Sequence, residues 1–313
     1  MALERFRNIR FSAQSQSRID ACNEVIDRYQ AAGLKLTLRQ LYYQLVTQNV
    51  ITNEEKSYKN LGSLIADARM AGLVDWSAIE DRVRQPRKQS EWTSIQSLVR
   101  GAVRAFRLPR WAGQTYYAEL WVEKDALAGV LEPLASQFHV TLMVNRGYSS
   151  ASAMYESARR FVENCRAESG YDATAGVAQY DGDEVDLAKH PVLFYLGDHD
   201  PSGEDMVRDV RDRLSTFGVN VDVVKVALTT AQVKQYRPPP NPAKMSDSRA
   251  AAYVAKHGHS SWEVDALPPD VLAKIVSDSF ASILDVRKMQ RVIAQEKLDT
   301  ARLVKAAEAL GGE

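Results

Sequence analysis

The stretch "FYLGDHDPSG", residues 194–203, decides the reading of this chain. An apolar run ends abruptly in Gly197, Asp198, His199 and Asp200, and Pro201 and Gly203 then stop any strand. Side chains alternate sides along an extended backbone, so Asp198 and Asp200 face one way and His199 the other. The preceding "PVLFYLG" (191–197) predicts a buried strand, and "SGEDMVRDVRDRL" after it predicts a helix.

The same alternation runs through the middle of the chain. "YYAELWVE" (116–123) predicts a strand ending in Glu123, followed by a helix over about 125–137. "HVTLMVN" (139–145) predicts a second strand, with the turn "RGYSS" and a helix over 151–166 after it. The polar stretch 167–189 reads as a loop, and "VDVVKVAL" (221–228) as a fourth strand. Strands alternating with helices imply an α/β fold with a mostly parallel sheet. Such sheets place their sites beyond the carboxyl ends of the strands. If the first and third strands are neighbours, Glu123, Asp198 and Asp200 converge. Clustered carboxylates need a counter-charge, and a hard divalent cation with oxygen ligands supplies one. A pair sharing a proton and a solvated acidic turn are the metal-free alternatives. "DGDEVD" (181–186), with no strand before it, reads as a solvated acidic loop.

Upstream the pattern is helical: 16–32, 37–49 and 57–72 predict three helices, the first and third closed by Gly33 and Gly72. Short apolar pieces after the third suggest a wing, so residues 1–110 read as a winged-helix (helix-turn-helix) unit. A helix over about 90–107 leads to the linker "LPRWAGQ". In "TLRQLYYQLV", Leu38, Leu41, Tyr42 and Leu45 form one apolar face. Tyr42 therefore reads as core. Tyr43 is turned about 100° away, one helical turn after Arg39, where the two side chains meet. It is either presented beside a cation or packed on a neighbouring helix. A phenol of pKa about 10 is roughly one-thousandth ionised at pH 7, so a tyrosine nucleophile needs proton removal and charge stabilisation, which a guanidinium and a metal ion supply.

The 313 residues carry zero net charge. Residues 1–110 hold 18 Lys/Arg against 11 Asp/Glu, and the remainder 22 against 29. A basic front and acidic back suit a DNA-contacting unit joined to a metal-binding one. Lys59, Arg69, Arg82 and Arg84, with Arg87 and Lys88, are candidate phosphate contacts, or an ordinary solvated face. No apolar run approaches the ~18 residues of a membrane span, the N-terminus has no signal-peptide core, and Cys22 and Cys165 suggest no disulfide framework. The expected setting is cytoplasmic and DNA-associated. Residues 231–313, with "RPPPNPAK", "SSWEVDALPPD" and a terminal helix pair, read as a helical extension on the sheet unit; Glu263 and Asp265 have no assigned role.

"LWVEKDALAGVLEPL", "VNRGYSSASAMYESARRF" and "VLFYLGDHDPSGEDMVRDV", together with "LRQLYYQL", resemble the topoisomerase VI A subunit and its meiotic double-strand-break relatives, closest to stand-alone "mini-A" proteins of phages, plasmids and bacteria. The resemblance spans roughly residues 35–230. It implies a winged helix (1–110), a Rossmann-like Toprim domain (111–230) and Mg²⁺, or Mn²⁺, held by Glu123, Asp198 and Asp200. It implies that Tyr43, assisted by Arg39 and Glu123, cuts double-stranded DNA to a 5′-phosphotyrosyl break, in a homodimer whose sites join two subunits. Lys124 matches a position near the site and is a candidate DNA contact, as is the loop Gly147–Ser150 for a role there. The chain lacks a GxxxxGK[ST] loop and the length for an ATPase, so strand passage would require a separate B-type ATPase subunit. The alternatives are a hydrolytic Toprim nuclease of plasmid or phage defence, with water as nucleophile, and a non-catalytic DNA-binding or scaffold protein.

Overall fold

The computed structural model describes residues 3–79, 91–145, 147–166 and 175–309. Its first three helices, α1 (Ala13–Ala31), α2 (Leu38–Thr47) and α3 (Glu55–Met70), enclose one core containing Ile19, Val25, Leu41, Leu45 and Ile65. Ser12 caps α1, and Thr37 with Gln40 forms a capping box on α2, each satisfying backbone donors left free in a first turn. The wing expected after α3, with Arg82, Arg84, Arg87 and Lys88, lies outside the described residues apart from a bridge between Leu36 and Ile79.

α4 (Ile95–Ala105) precedes the sheet unit, which runs β1 (Tyr116–Val122), α5 (Ala128–Phe138), β2 (Thr141–Val144), α6 (Ala151–Cys165), β3 (Val177–Tyr180), β4 (Asp183–Asp186), β5 (His190–Leu196), α7 (Pro201–Thr216) and β6 (Asp222–Ala227). Then come α8 (Thr230–Tyr236), β7 (Asn241–Pro242), α9 (Ala250–His257), β8 (Ser260–Ser261), α10 (Pro269–Ile283) and α11 (Val286–Ala309). The fold is α/β: a four-stranded parallel sheet in the order β2-β1-β5-β6 with helices on both faces, a Rossmann-like core. The expected first and third strands are indeed neighbours, with Val122 level with Leu196.

Period-two alternation builds both faces. Leu120, Val122, Phe194 and Leu196 point toward α5 and α10, meeting Leu131 and Phe280. Trp121, Leu193 and Tyr195 point toward α6 and α7, meeting Phe161 and Val210. Glu119 alternates onto this second face at 0% exposure. Arg160 clasps both its oxygens at 2.7 and 2.9 Å, and Trp121 and Tyr117 donate to it as well. A buried carboxylate survives only when so fully satisfied.

Two expectations change. The stretch 175–189 is not all loop: β3 and β4 form an antiparallel hairpin turned at Asp181–Gly182, both with positive φ (52° and 93°). An Asp-Gly pair at a two-residue turn is itself a hairpin signal. Asp183 and Glu184 are exposed and Asp181 pairs Arg159, so "DGDEVD" stays outside the candidate site. The helix before the linker, α4, expected in the N-terminal unit, lies along α11. Nearby, Arg110 makes a two-pronged 2.6 Å pair with Glu296. Cys22 and Cys165 are buried free thiols, and among the described residues no helix is long and apolar enough to cross a membrane.

Candidate functional site

The site begins where β1 and β5 end. Glu123 follows β1, and its backbone N–H still bonds Leu196 O at 2.9 Å. One residue past Leu196, Gly197 gives the carboxylate room: a Cβ there would lie 2.5 Å from the Tyr195 ring and 3.0 Å from Glu123 Oε2. Asp198 donates its backbone N–H to Glu123 Oε2 at 3.3 Å.

Asp200 caps α7. Its Oδ1 accepts from Gly203 N at 2.6 Å and from the Ser202 hydroxyl at 2.9 Å, with Pro201 opening the helix. Asp at the cap and Pro at the first helical position are the favoured choices. Gly203 has no alternative, since a Cβ there would stand 2.2 Å from Asp198 O. The motif thus closes a tight strand-to-helix turn and aims two carboxylates with one set of residues. His199 points away as expected. It is 1% exposed, stacks on Trp262 and bonds Glu204 through Nδ1 at 2.9 Å. Its backbone exchanges two hydrogen bonds with Trp262, at 2.8 and 3.0 Å. Lys225 on β6 joins the turn from below, at 2.7 Å from both Asp198 O and Glu204 Oε1.

That bridge carries in the residues the sequence reading left unassigned. The turn Val264–Ala266 donates Val264 N–H to Asp198 Oδ1 at 2.9 Å and places Glu263 and Asp265 beside Lys124. Lys124 Nζ lies 2.9 Å from Asp198 Oδ2, 2.8 Å from Glu263 Oε2 and 3.1 Å from Asp265 Oδ1. Although burial works against its charge, these three carboxylates hold the ammonium pKa above its ordinary value. Arg39, reaching over from α2, pairs with Glu263 and sets Nε 2.9 Å from Asp265 Oδ2. Only the acid–x–acid spacing of "WEVD" hinted at this pair; nothing local tied it to a strand end 60 residues earlier.

Tyr43 sits beneath this cluster. The Arg39 guanidinium lies 5.8 Å from its ring centroid, as the i, i+4 spacing predicts. The ring is not presented, however: Tyr43 is 4% exposed and Tyr42 5%. Tyr42 packs on Tyr58 and bonds Asn53 Oδ1 at 2.9 Å. α2 is covered twice, by α1 and α3 on one side and by the 263–266 turn on the other, where Ala266 joins the N-terminal core. Burial, then the charges of Glu263 and Asp265, raise the Tyr43 phenol above its usual range, with Arg39 only partly offsetting them. Tyr42, Tyr43, Arg39, Asp198, Asp200 and Glu263 all line one open cleft of about 440 Å³.

The other expected DNA contacts have different surroundings. Lys59 is exposed on α3 and pairs Glu55 at 2.7 Å. Arg69 is turned inward, donating to Ile79 O at 2.6 Å and Trp76 O at 3.1 Å, and so fastens the chain after α3. Lys124 is enclosed by carboxylates. In this structure both Arg69 and Lys124 already have partners. Tyr148, in the Gly147–Ser150 loop, stacks under Arg249 on the outer side of α7.

Glu123, Asp198 and Asp200 are hard oxygen donors of the kind Mg²⁺ takes. Burial, with the Asp200 charge adding to it, leaves the Glu123 carboxyl pKa raised against the opposing Asp198 N–H, Lys124 and Lys225. Asp198 is pushed up to about 7 by burial, with Glu123 and Asp265 adding to it against Lys124. Tyr195 OH and both side-chain polar atoms of Asn145 are buried without hydrogen-bond partners among the described residues. Raised carboxyls with orphaned polar groups nearby fit a hard dication held by Glu123, Asp198 and Asp200. Among the described residues, no three such side chains already stand at metal-holding distances. No protein-family model matches the chain, and neither does any curated protein.

Proposed function

We propose that this chain is a Mg²⁺- or Mn²⁺-dependent DNA-cleaving enzyme of the topoisomerase VI A type, with a winged-helix N-terminal unit and a Toprim sheet unit. The observation that carries the reading is the shared cleft: Tyr43 from the helical unit and Asp198 and Asp200 from the sheet unit line it together. Glu123, Asp198 and Asp200 would hold the metal, which when bound stabilises charge on a phosphate and the departing oxygen. The Tyr43 oxygen forms a bond to phosphorus as the P–O3′ bond breaks. The phenol loses its proton, the 3′ oxygen gains one, and the 5′ end stays on Tyr43. Arg39 is placed to face the phosphate charge, once a DNA phosphate draws it away from Glu263 and Asp265. The cleft holds Tyr43 and the acids of one chain, whereas the resemblance implies sites that join two subunits; on either arrangement two copies cut the two strands of a duplex, and strand passage requires a separate ATPase subunit.

One observation favours a second reading, a hydrolytic nuclease using the same acids. The Tyr43 phenol is buried and raised in pKa, the reverse of an activated nucleophile. Supercoiled plasmid incubated with the protein and Mg²⁺ or Mn²⁺, then quenched with detergent, separates the two. The tyrosine reading expects protein attached to 5′ ends, lost in Tyr43→Phe and in Asp198→Ala. Cleavage that persists in Tyr43→Phe without adducts establishes hydrolysis instead.

A further inference from the structure

On the far end of α2 from the candidate site lies a second, larger cleft of about 1070 Å³. It is walled by the start of α1, the end of α2 with the turn after it, one edge of α3, and the strap Arg237–Pro240 that crosses from the C-terminal extension. Asn53 lines both clefts and holds the strap in place, donating to Pro240 O at 3.2 Å and Asn241 Oδ1 at 2.9 Å.

The lining has two characters. Arg10 and Arg18, from the segment that opens α1, and Arg237, from the strap, line it together, with Ser12 and Ser15 between the first two in sequence; Asp67 is the sole acid among the described residues that line it. None of the three guanidinium groups has a hydrogen-bond or ion-pair partner among the described residues, unlike Arg39, Arg110, Arg160 and Arg249. Part of the wall is apolar, with the flat faces of Phe11, Pro239 and Pro240 beside Ile51 and Leu64, and the remainder carries neutral polar side chains such as Asn49 and Asn60.

Three unpaired guanidiniums on one concave wall repel one another, and an anion that they share removes that cost. Their planar forks match phosphate oxygens two at a time. The volume is at the upper end of small-ligand pockets, roughly 300–1,000 Å³, and is far more than inorganic phosphate fills. Rigid proline and phenylalanine faces suit a flat ring. We propose that this cleft binds a nucleoside phosphate, with the phosphates on Arg10, Arg18 and Arg237 and the base against Phe11 and the proline strap. Free nucleotide and a nucleotide unit of a nucleic-acid strand share this chemistry. The proposal stands apart from the cleavage reading, since it uses none of Tyr43, Glu123, Asp198 or Asp200.

The test is fluorescence anisotropy on the full chain with two probes, a fluorescently labelled ATP and a labelled single-stranded oligodeoxynucleotide, at low and moderate salt. At least one probe binds, and the Arg18→Ala/Arg237→Ala double variant weakens it at least tenfold. The charge-reversed Arg18→Glu weakens it further, while Arg287→Ala, exposed on α11, leaves it unchanged. Binding of ATP alone identifies free nucleotide as the ligand; binding of the oligonucleotide alone identifies a strand. Thermal unfolding of each variant checks that the fold survives these surface changes. Equal affinity of wild type and double variant for every probe that binds, or no binding of either probe at millimolar concentration, overturns the proposal.

Discussion

Arg39 of α2 and Asp265 of the Val264–Ala266 turn meet with Nε 2.9 Å from Oδ2, and Asp265 has a side chain at 0% exposure. The contact joins the helical N-terminal unit to the loop that also grips Asp198. This pair, with Arg39–Glu263 and the packing of Ala266 in the N-terminal core, holds α2 against the turn that grips Asp198.

Because Asp265 is buried, removing a cation beside it leaves a charge only Lys124 still answers. Loss of one partner from a fully buried pair costs about 3–5 kcal/mol, and here the cost is less, because the Arg39 side chain is 41% exposed to screening solvent and Lys124 remains. Arg39→Ala is expected to destabilise the chain by about 2–3 kcal/mol in denaturant unfolding. Faster amide exchange in α2 should accompany it, with little change in β1 and β5. Uniformly faster exchange across the sheet would mean that the pair does not join two separable units.

Glu263 carries the acid sensitivity of that junction. Burial raises its pKa, but Lys124, Arg39 and their hydrogen bonds win and hold it down at about 2, against an ordinary 4.5. A depressed folded-state pKa contributes stability that is present above the unfolded value and is lost as pH falls through the folded one. The loss therefore runs from about pH 4.5 down to about pH 2. Stability measured across that window in wild type and Glu263→Gln should show a shallower slope in the variant. Parallel slopes would place the acid sensitivity elsewhere.

The metal reading has its own pH signature. A proton on Asp198, whose carboxyl is raised to about 7, competes with a cation for the same oxygens. Mg²⁺ or Mn²⁺ should raise the melting temperature more at pH 8 than at pH 6. Glu123→Gln and Asp200→Asn should reduce that increment, and chelation should abolish it. An increment independent of pH and of both substitutions would place the cation at another site.

Gly203→Ala tests the turn itself. Its Cβ would stand 2.2 Å from Asp198 O, inside any real contact. Either the turn or α7 must move, so a loss of about 1–3 kcal/mol is expected, as for overpacking. Asp200→Ala should cost about 1 kcal/mol by loss of the helix cap alone. If Gly203→Ala proves the milder of the two in thermal unfolding, Asp198 O is not held where the structure has it.

What the sequence by itself determined was local and periodic. Alternation in 116–122 and 190–196 marked two strands buried on both faces, and Gly197 through Gly203 marked a turn that carries acids and starts a helix. Backbone geometry alone puts Asp198 and Asp200 on one side of His199. The Arg39–Tyr43 contact followed in the same way from helical spacing. Tertiary structure decided which surfaces those side chains meet. Periodicity says which faces of α2 leave water but not what covers them. Tyr43, which helical spacing left either presented beside Arg39 or packed on a neighbour, is buried in a core that Ala266 joins from the far end of the chain. Lys124 and Arg69, basic in sequence and hence expected on phosphates, are spent on carboxylates and backbone carbonyls that folding brings to them. Glu263 and Asp265 gain their place because Trp262 pairs with His199, a backbone match between segments more than 60 residues apart. Charge and spacing are carried by the sequence; the partner that neutralises each charge is chosen only when distant segments pack.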